Sequence, residues 1–189
     1  MQSIRIGVVL FLAVAAFGQS SAQKPSDKPE NTNTAMIAFN KDIYSHLQGI
    51  LLRSAEKMPE ENYNFKPVDG VRTYGQILGH LADAQYTFCS IAMGEKNPAL
   101  DIEKTKTSKA DLTTALKAAF SYCDKAYDAM TETTAMQTVQ LMGGDTPKLG
   151  VLNINNLHSV EHYGNLVTYM RMKGIVPPTS EHPMPEAKK

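Results

Sequence analysis

Residues 149–172 are the stretch that most restricts the architecture open to this chain. Apolar residues recur there at helical spacing, no proline interrupts them, and Gly164 is the interior glycine. A run of that length folds as an amphipathic helix of six to seven turns, roughly 36 Å long. Such a helix has to bury its apolar face against other elements of similar length. Three other segments supply them. Ala35 to Lys57 carries Ile37, Ile43, Leu47, Ile50, Leu51 and Ala55 and stops before Pro59. Tyr74 to Met93 carries Ile77, Leu81, Ala84, Phe88 and Ile91, and ends at Gly94. A third helix is predicted from Ser108 to about Met130, with Leu112, Leu116, Ala119, Cys123, Ala126 and Met130 on its seam.

The boundaries have their own chemistry. Thr73-Tyr74-Gly75-Gln76 fits a capping box, in which the Thr hydroxyl and the Gln amide each satisfy an amide that the helix leaves unpaired. Ser108 can cap the third helix, with Asp111 in its first turn. Gly174, followed by Pro177-Pro178, stops the fourth. Residues 59–72 contain Pro67 and Asp69-Gly70 and read as loop, as do most of 131–149. No stretch alternates long enough to argue a sheet, although 137–142 could form a short extended piece. The expectation is an all-α fold, a four-helix bundle.

The chain ends are of a different kind. Arg5 precedes an apolar run of 12 residues, Ile6 to Phe17, too short to span a bilayer, and Ser20-Ser21-Ala22 offers small residues for cleavage. Residues 1–22 therefore read as a signal peptide, and the protein as exported, periplasmic or secreted, with no membrane attachment after cleavage. Residues 23–34 and 179–189 are rich in Pro, Lys, Glu, Ser and Asn and read as a disordered linker and tail. That leaves 35–178 as the bundle. The whole chain has 19 basic and 19 acidic residues, so losing Arg5 leaves a mature net charge of −1. With no basic stripe, nucleic-acid binding has no electrostatic support.

The fourth helix also carries His158-Ser159-Val160-Glu161-His162. Residues four apart stack on one helical face, so His158 and His162 can present two imidazoles to one metal ion. A third ligand is sought in His80, which lies between Ile77 and Ala84 on the second helix, where a histidine needs a polar partner. Three histidines with open positions for water or substrate make a catalytic rather than a structural zinc arrangement. The stretch also matches the inverted zinc-protease pattern. Only 27 residues follow His162, however, too few for the further acidic ligand and the larger scaffold of those enzymes. Glu161 is a candidate general base, or an acceptor for a histidine N–H. Asn165 and Tyr169 extend the His158 face as pocket lining or packing. His46 reads as a boundary histidine, and Arg72 as an ion-pair or loop anchor.

Three sequence blocks go beyond these separate features. They are Pro59-Glu60-Glu61-Asn62-Tyr63-Asn64-Phe65-Lys66-Pro67 with Val71-Arg72-Thr73, then Gly79-His80-Leu81-Ala82-Asp83-Ala84-Gln85, then the His158–Asn165 stretch running into Tyr169-Met170-Arg171 and Gly174-Ile175-Val176-Pro177-Pro178. In that order the chain from about Ile37 to Pro178 resembles the DinB/YfiT-like superfamily. The resemblance implies an up-down-down-up bundle and a divalent metal held by His80, His158 and His162, with zinc as the first expectation and nickel, iron or manganese as alternatives. It also implies a small-molecule substrate and allows a homodimer. Relatives include thiol S-transferases that use cytosolic thiols, a chemistry at odds with export. An exported metal-dependent enzyme performing hydrolysis or group transfer on a small molecule is therefore the leading expectation, ahead of a non-catalytic metal- or ligand-binding bundle and of a thiol S-transferase.

The implied helix order bears on Cys89 and Cys123. In a simple up-down hairpin they would sit at opposite ends. If the second and third helices run parallel, as the resemblance implies, the two fall near one level, and a disulfide is expected in an oxidising compartment. Otherwise they are two small buried hydrophobes.

Overall fold

Local capping places two of the long helices of the computed structural model, which describes residues 32–98 and 101–181. The expected signal peptide, most of the expected linker and residues 182–189 of the expected tail lie outside those residues. The helices are α1 (Thr32–Lys57), α2 (Tyr74–Met93), α3 (Ile102–Thr105), α4 (Lys109–Asp128), α5 (Glu132–Ala135) and α6 (Lys148–Met172). The Thr73 hydroxyl accepts the Gln76 amide at 3.2 Å while the Gln76 side chain accepts the Thr73 amide at 2.8 Å, so the capping box forms as expected. Ser108 likewise accepts the Asp111 amide at 3.1 Å. α1 begins three residues before the predicted start, taking in the end of the expected linker.

Four long helices, α1, α2, α4 and α6, make the bundle, and their cross-contacts define its directions. Near its start α2 meets α4 near its start, at Gly75 and Leu112, and the Tyr86 ring packs against that of Tyr122 further along both, so α2 and α4 are parallel. α1 runs against α4, with Lys41 on Asp128 and Glu56 on Lys117. α6 runs against α2, as Gln85 meets Ser159 while Arg72, just before α2, meets Tyr169. The order is up-down-down-up. A parallel α2–α4 pair needs a crossover, and residues 94–108 supply it. At the shared level Cys89 and Cys123 are joined in a disulfide, with Cα atoms 5.3 Å apart.

Leu47, Leu51, Ile77, Leu81, Leu112, Leu116, Leu152 and Leu166 are buried among the four helices. Carbonyls near the end of α1 accept further bonds from the following segments. Tyr63 donates to Ala55 O at 2.5 Å, Tyr74 to Ser54 O at 2.9 Å, and Lys109 Nζ to Glu56 O and Met58 O at 2.7 Å each. These bonds tie the 59–73 loop to the bundle and fix one wall of the site described below.

Two features depart from the sequence reading. Within 131–149, β1 (Thr138–Leu141) and β2 (Gly144–Pro147) pair antiparallel across a turn at Met142 and Gly143, both with positive φ. This hairpin extends the predicted extended piece by a second strand. The second departure is in α6, whose inward face is polar over its middle turns, between buried Leu152 and Leu166. Asn155, Asn156, Ser159 and His162 are buried, whereas Leu157 and Val160 are 60% and 50% exposed. Such an inversion is tolerable only where the buried groups pair with one another. Asn155 donates to Gln85 at 2.8 Å, Gln85 donates to Ser159 at 3.0 Å, and Asn156 donates to the Asn40 carbonyl at 2.9 Å. Among the described residues no helix is long and apolar enough to cross a membrane.

Candidate metal centre

His80 stands on α2 and His158 and His162 on α6, one helical turn apart. The antiparallel crossing of the two helices brings all three imidazoles together. His158 Nε2 lies 3.0 Å from His80 Nε2 and 3.1 Å from His162 Nε2. Their potential ligand atoms all fall within 4.8 Å of one another. Nitrogens bound to one tetrahedral zinc stand about 3.4 Å apart, so this cluster is able to hold a divalent ion.

The nitrogens on the far side of each ring decide how well it would do so. His80 Nδ1 lies 3.1 Å from Glu103 Oε2, and the other oxygen of Glu103 accepts from Arg72 Nε at 2.8 Å. Donating Nδ1–H to a carboxylate leaves Nε2 as the lone-pair atom, which is the tautomer a metal ligand needs. His162 Nδ1 has the Asn165 side-chain amide at 3.4 Å. His158 Nδ1 is buried with no partner among the described residues. Burial, together with the neighbouring His162, His80 and Arg72, pushes the His158 pKa down to about 4. Burial first and His80 next lower that of His162, with Glu161 opposing. Both imidazoles are therefore neutral at neutral pH, and neutral imidazole is the form that binds metal. The donor set fits a divalent metal ion.

A cleft of about 730 Å³ opens beside the cluster, lined by Arg72, Gln76, Glu103, Glu161, His162 and Tyr169 among others. Its outer wall is the 66–72 loop, pinned to α6 by a 3.0 Å bond from the Tyr169 hydroxyl to Arg72 O. A smaller hollow of about 210 Å³ lies against His80, Phe88 and His158. Glu161 is exposed on the rim of the main cleft. His46 is exposed on α1. Arg72 forms the expected ion pair, with Glu103.

Sequence reasoning missed Glu103 and the role of Asp83. Glu103 is 23 residues from His80, on a one-turn helix in a segment read only as a connector. Asp83 is on the same turn of α2 as His80, and its proximity to the site was legible. What its carboxylate binds was not.

Comparison with known proteins agrees with the fold. Residues 44–166 match the sequence pattern of the DinB superfamily. The fold is similar to that of a DinB-like protein from Bacillus cereus, with a TM-score of 0.66 at 15% identity, covering 74% of this chain and 93% of that one. It is also similar to a DinB-like protein from Bacillus subtilis, with a TM-score of 0.59 at 22% identity, covering 76% of this chain and 96% of that one. The chain has no match among curated proteins.

Proposed function

This chain belongs to the DinB superfamily, and from that premise we propose that it is an exported metal-dependent enzyme performing hydrolysis or group transfer on a small polar molecule. The observation that carries the reading is the convergence of three imidazole Nε2 atoms beside a solvent-open cleft. A structural ion is closed off by protein ligands, whereas a three-nitrogen set leaves coordination positions for substrate. His80, His158 and His162 would hold the ion, zinc first among the candidates. A divalent ion in such a set supplies Lewis-acid polarisation of a substrate oxygen.

The chain's own residues divide the remaining work. Asn165, Gln76 and the exposed part of Arg72 offer hydrogen bonds that would orient a polar substrate. Glu161, on the rim beside His162, is the group assigned to proton transfer, since a free carboxylate near the reacting atoms can accept and return a proton. Tyr169 and the 66–72 loop wall the cleft.

The test is elemental analysis of untagged mature protein beside His80→Ala and His158→Ala variants, followed by a panel of ester, amide and phosphoester substrates. One divalent ion per chain, lost in both variants, with turnover that Glu161→Gln abolishes while keeping the ion, is the expected result. Metal bound without turnover across the panel would replace the enzyme reading with a non-catalytic metal-binding bundle. No metal bound at all would end both.

A further inference from the structure

We propose that the crossover between α2 and α4, not the bundle helices alone, sets the affinity of the metal site: Glu103 is a positioning residue for His80, and Asp83 is the residue that holds Glu103 there. The inference rests on the metal reading above and adds to it a control element lying outside the three ligands.

The geometry starts on α2. Gly79 and Asp83 are four apart and share a face, and α3 lies against that face. At Gly79 the approach is so close that a Cβ would come within 2.6 Å of Glu103 Cα and 3.0 Å of Glu103 N. Only a residue without a side chain admits this contact. At Asp83 the carboxylate accepts the amide of Ile102 at 2.9 Å with one oxygen and that of Glu103 at 3.0 Å with the other. Both amides lie in the opening turn of α3 and have no acceptor within it. Just before them Asp101 adopts a left-handed backbone, φ 62°, an unfavourable state for a residue with a side chain. Charge-assisted bonds from Asp83 are strong enough to hold that conformation.

The consequence falls on His80. With the backbone of residue 103 anchored, one Glu103 oxygen reaches His80 Nδ1 and the other reaches Arg72. Among the described residues, His80 is the one imidazole of the three whose far nitrogen is backed by a charged side chain, since His162 Nδ1 has a neutral amide and His158 Nδ1 has no hydrogen-bond partner there. A carboxylate on Nδ1–H fixes the ring orientation and makes Nε2 a stronger donor. Its negative charge also opposes the accumulation of positive charge that a divalent ion brings beside Arg72. The Gly79-His80-x-x-Asp83 spacing thus combines a gap for the crossover, a ligand, and an anchor for the ligand's support.

The experiment measures zinc affinity of the full mature protein by competition with a chromophoric chelator, for wild type, Glu103→Gln, Asp83→Asn and the double variant. Gln can still accept from His80 but carries no charge. Glu103→Gln is expected to weaken zinc 10- to 100-fold. Asp83→Asn is expected to produce a loss of similar size, and the double variant no more than the larger single loss, because Asp83 acts through Glu103. The visible spectrum of the cobalt-substituted protein should shift in Glu103→Gln, a change that a purely structural role would not cause. Far-UV spectra and melting of the metal-free variants check that each is folded. Affinity of Glu103→Gln within about threefold of wild type, or losses that multiply in the double variant, would overturn the inference while leaving the metal site standing. A wild type that binds no zinc would overturn both.

Discussion

Gly79 and Gly164 are both interior to long helices, and replacing each with alanine should move stability in opposite directions. In a helix, alanine is favoured over glycine by about 0.5–1 kcal/mol, chiefly because the unfolded chain loses less freedom. At Gly164 a Cβ would meet nothing within 4 Å. Gly164→Ala should therefore gain the full amount, within about 1 kcal/mol. At Gly79 the Cβ would lie 2.6 Å from Glu103 Cα and 3.3 Å from Leu112 Cδ2. Carbon atoms pack at about 3.5–4.0 Å, so the α3 backbone would have to retreat by about 1 Å. Overpacking of that kind costs about 1–3 kcal/mol, and the two Asp83 bonds to α3 would be stretched as well. Set against the propensity gain, the net change is a loss of about 1–2 kcal/mol. For a chain of this size that lowers Tm by roughly 2–8 °C. The same retreat would open the 3.1 Å contact between Glu103 and His80, so zinc affinity should fall alongside. Urea melts of the metal-free protein and chelator competition measure the two effects. A Gly79→Ala variant as stable as Gly164→Ala would refute the close-approach argument. A destabilised variant with unchanged zinc affinity would refute its link to the site.

Two further outcomes follow from the same structure. His158 in the folded protein has its pKa lowered to about 4, whereas in the unfolded chain it titrates near 6.5. The unfolded state therefore takes up the proton first, so the stability associated with neutral His158 is complete above about pH 6.5 and is lost as the pH falls toward 4. After allowance for solvent screening the loss between pH 7.5 and 5 is on the order of 1 kcal/mol. The metal-free wild type should show a larger drop in urea midpoint over that interval than His158→Gln, and equal drops would exclude the shift. Separately, the Cys89–Cys123 bond closes a sequence separation of 34 residues, which by loop entropy is worth about 4 kcal/mol. Reduction, or the Cys89→Ser/Cys123→Ser pair, should lower the urea midpoint accordingly, and an unchanged midpoint would show that the bond does not form in solution.

Much of this fold was readable along the chain because its determinants are local. The Thr73 and Ser108 caps, the helical stripes and the stops at Gly94 and Gly174 act within one or two turns, and α2 has the bounds predicted for it, Tyr74 to Met93. The His158/His162 pair belongs to the same class, since helical period alone puts both rings on one face. His80 was a candidate from its place between Ile77 and Ala84 on the second helix; the resemblance to a family joined it to the pair and added the helix order, and with the order the level of the two cysteines. Tertiary structure decided what no local rule reaches. The polar middle of α6's inner face makes sense only through Gln85, Asn40 and Tyr127, which pair with it from α2, α1 and α4. Residues 138–147 became a hairpin through a turn at Met142-Gly143 that lacks the usual Asn-Gly signal. Glu103 reaches His80 because the parallel α2–α4 pair forces a crossover, and Gly79 and Asp83 admit and hold it against α2. A helix specifies its own face through contacts three and four residues apart, whereas a carboxylate delivered from a connector depends on backbone packing that sequence spacing does not encode.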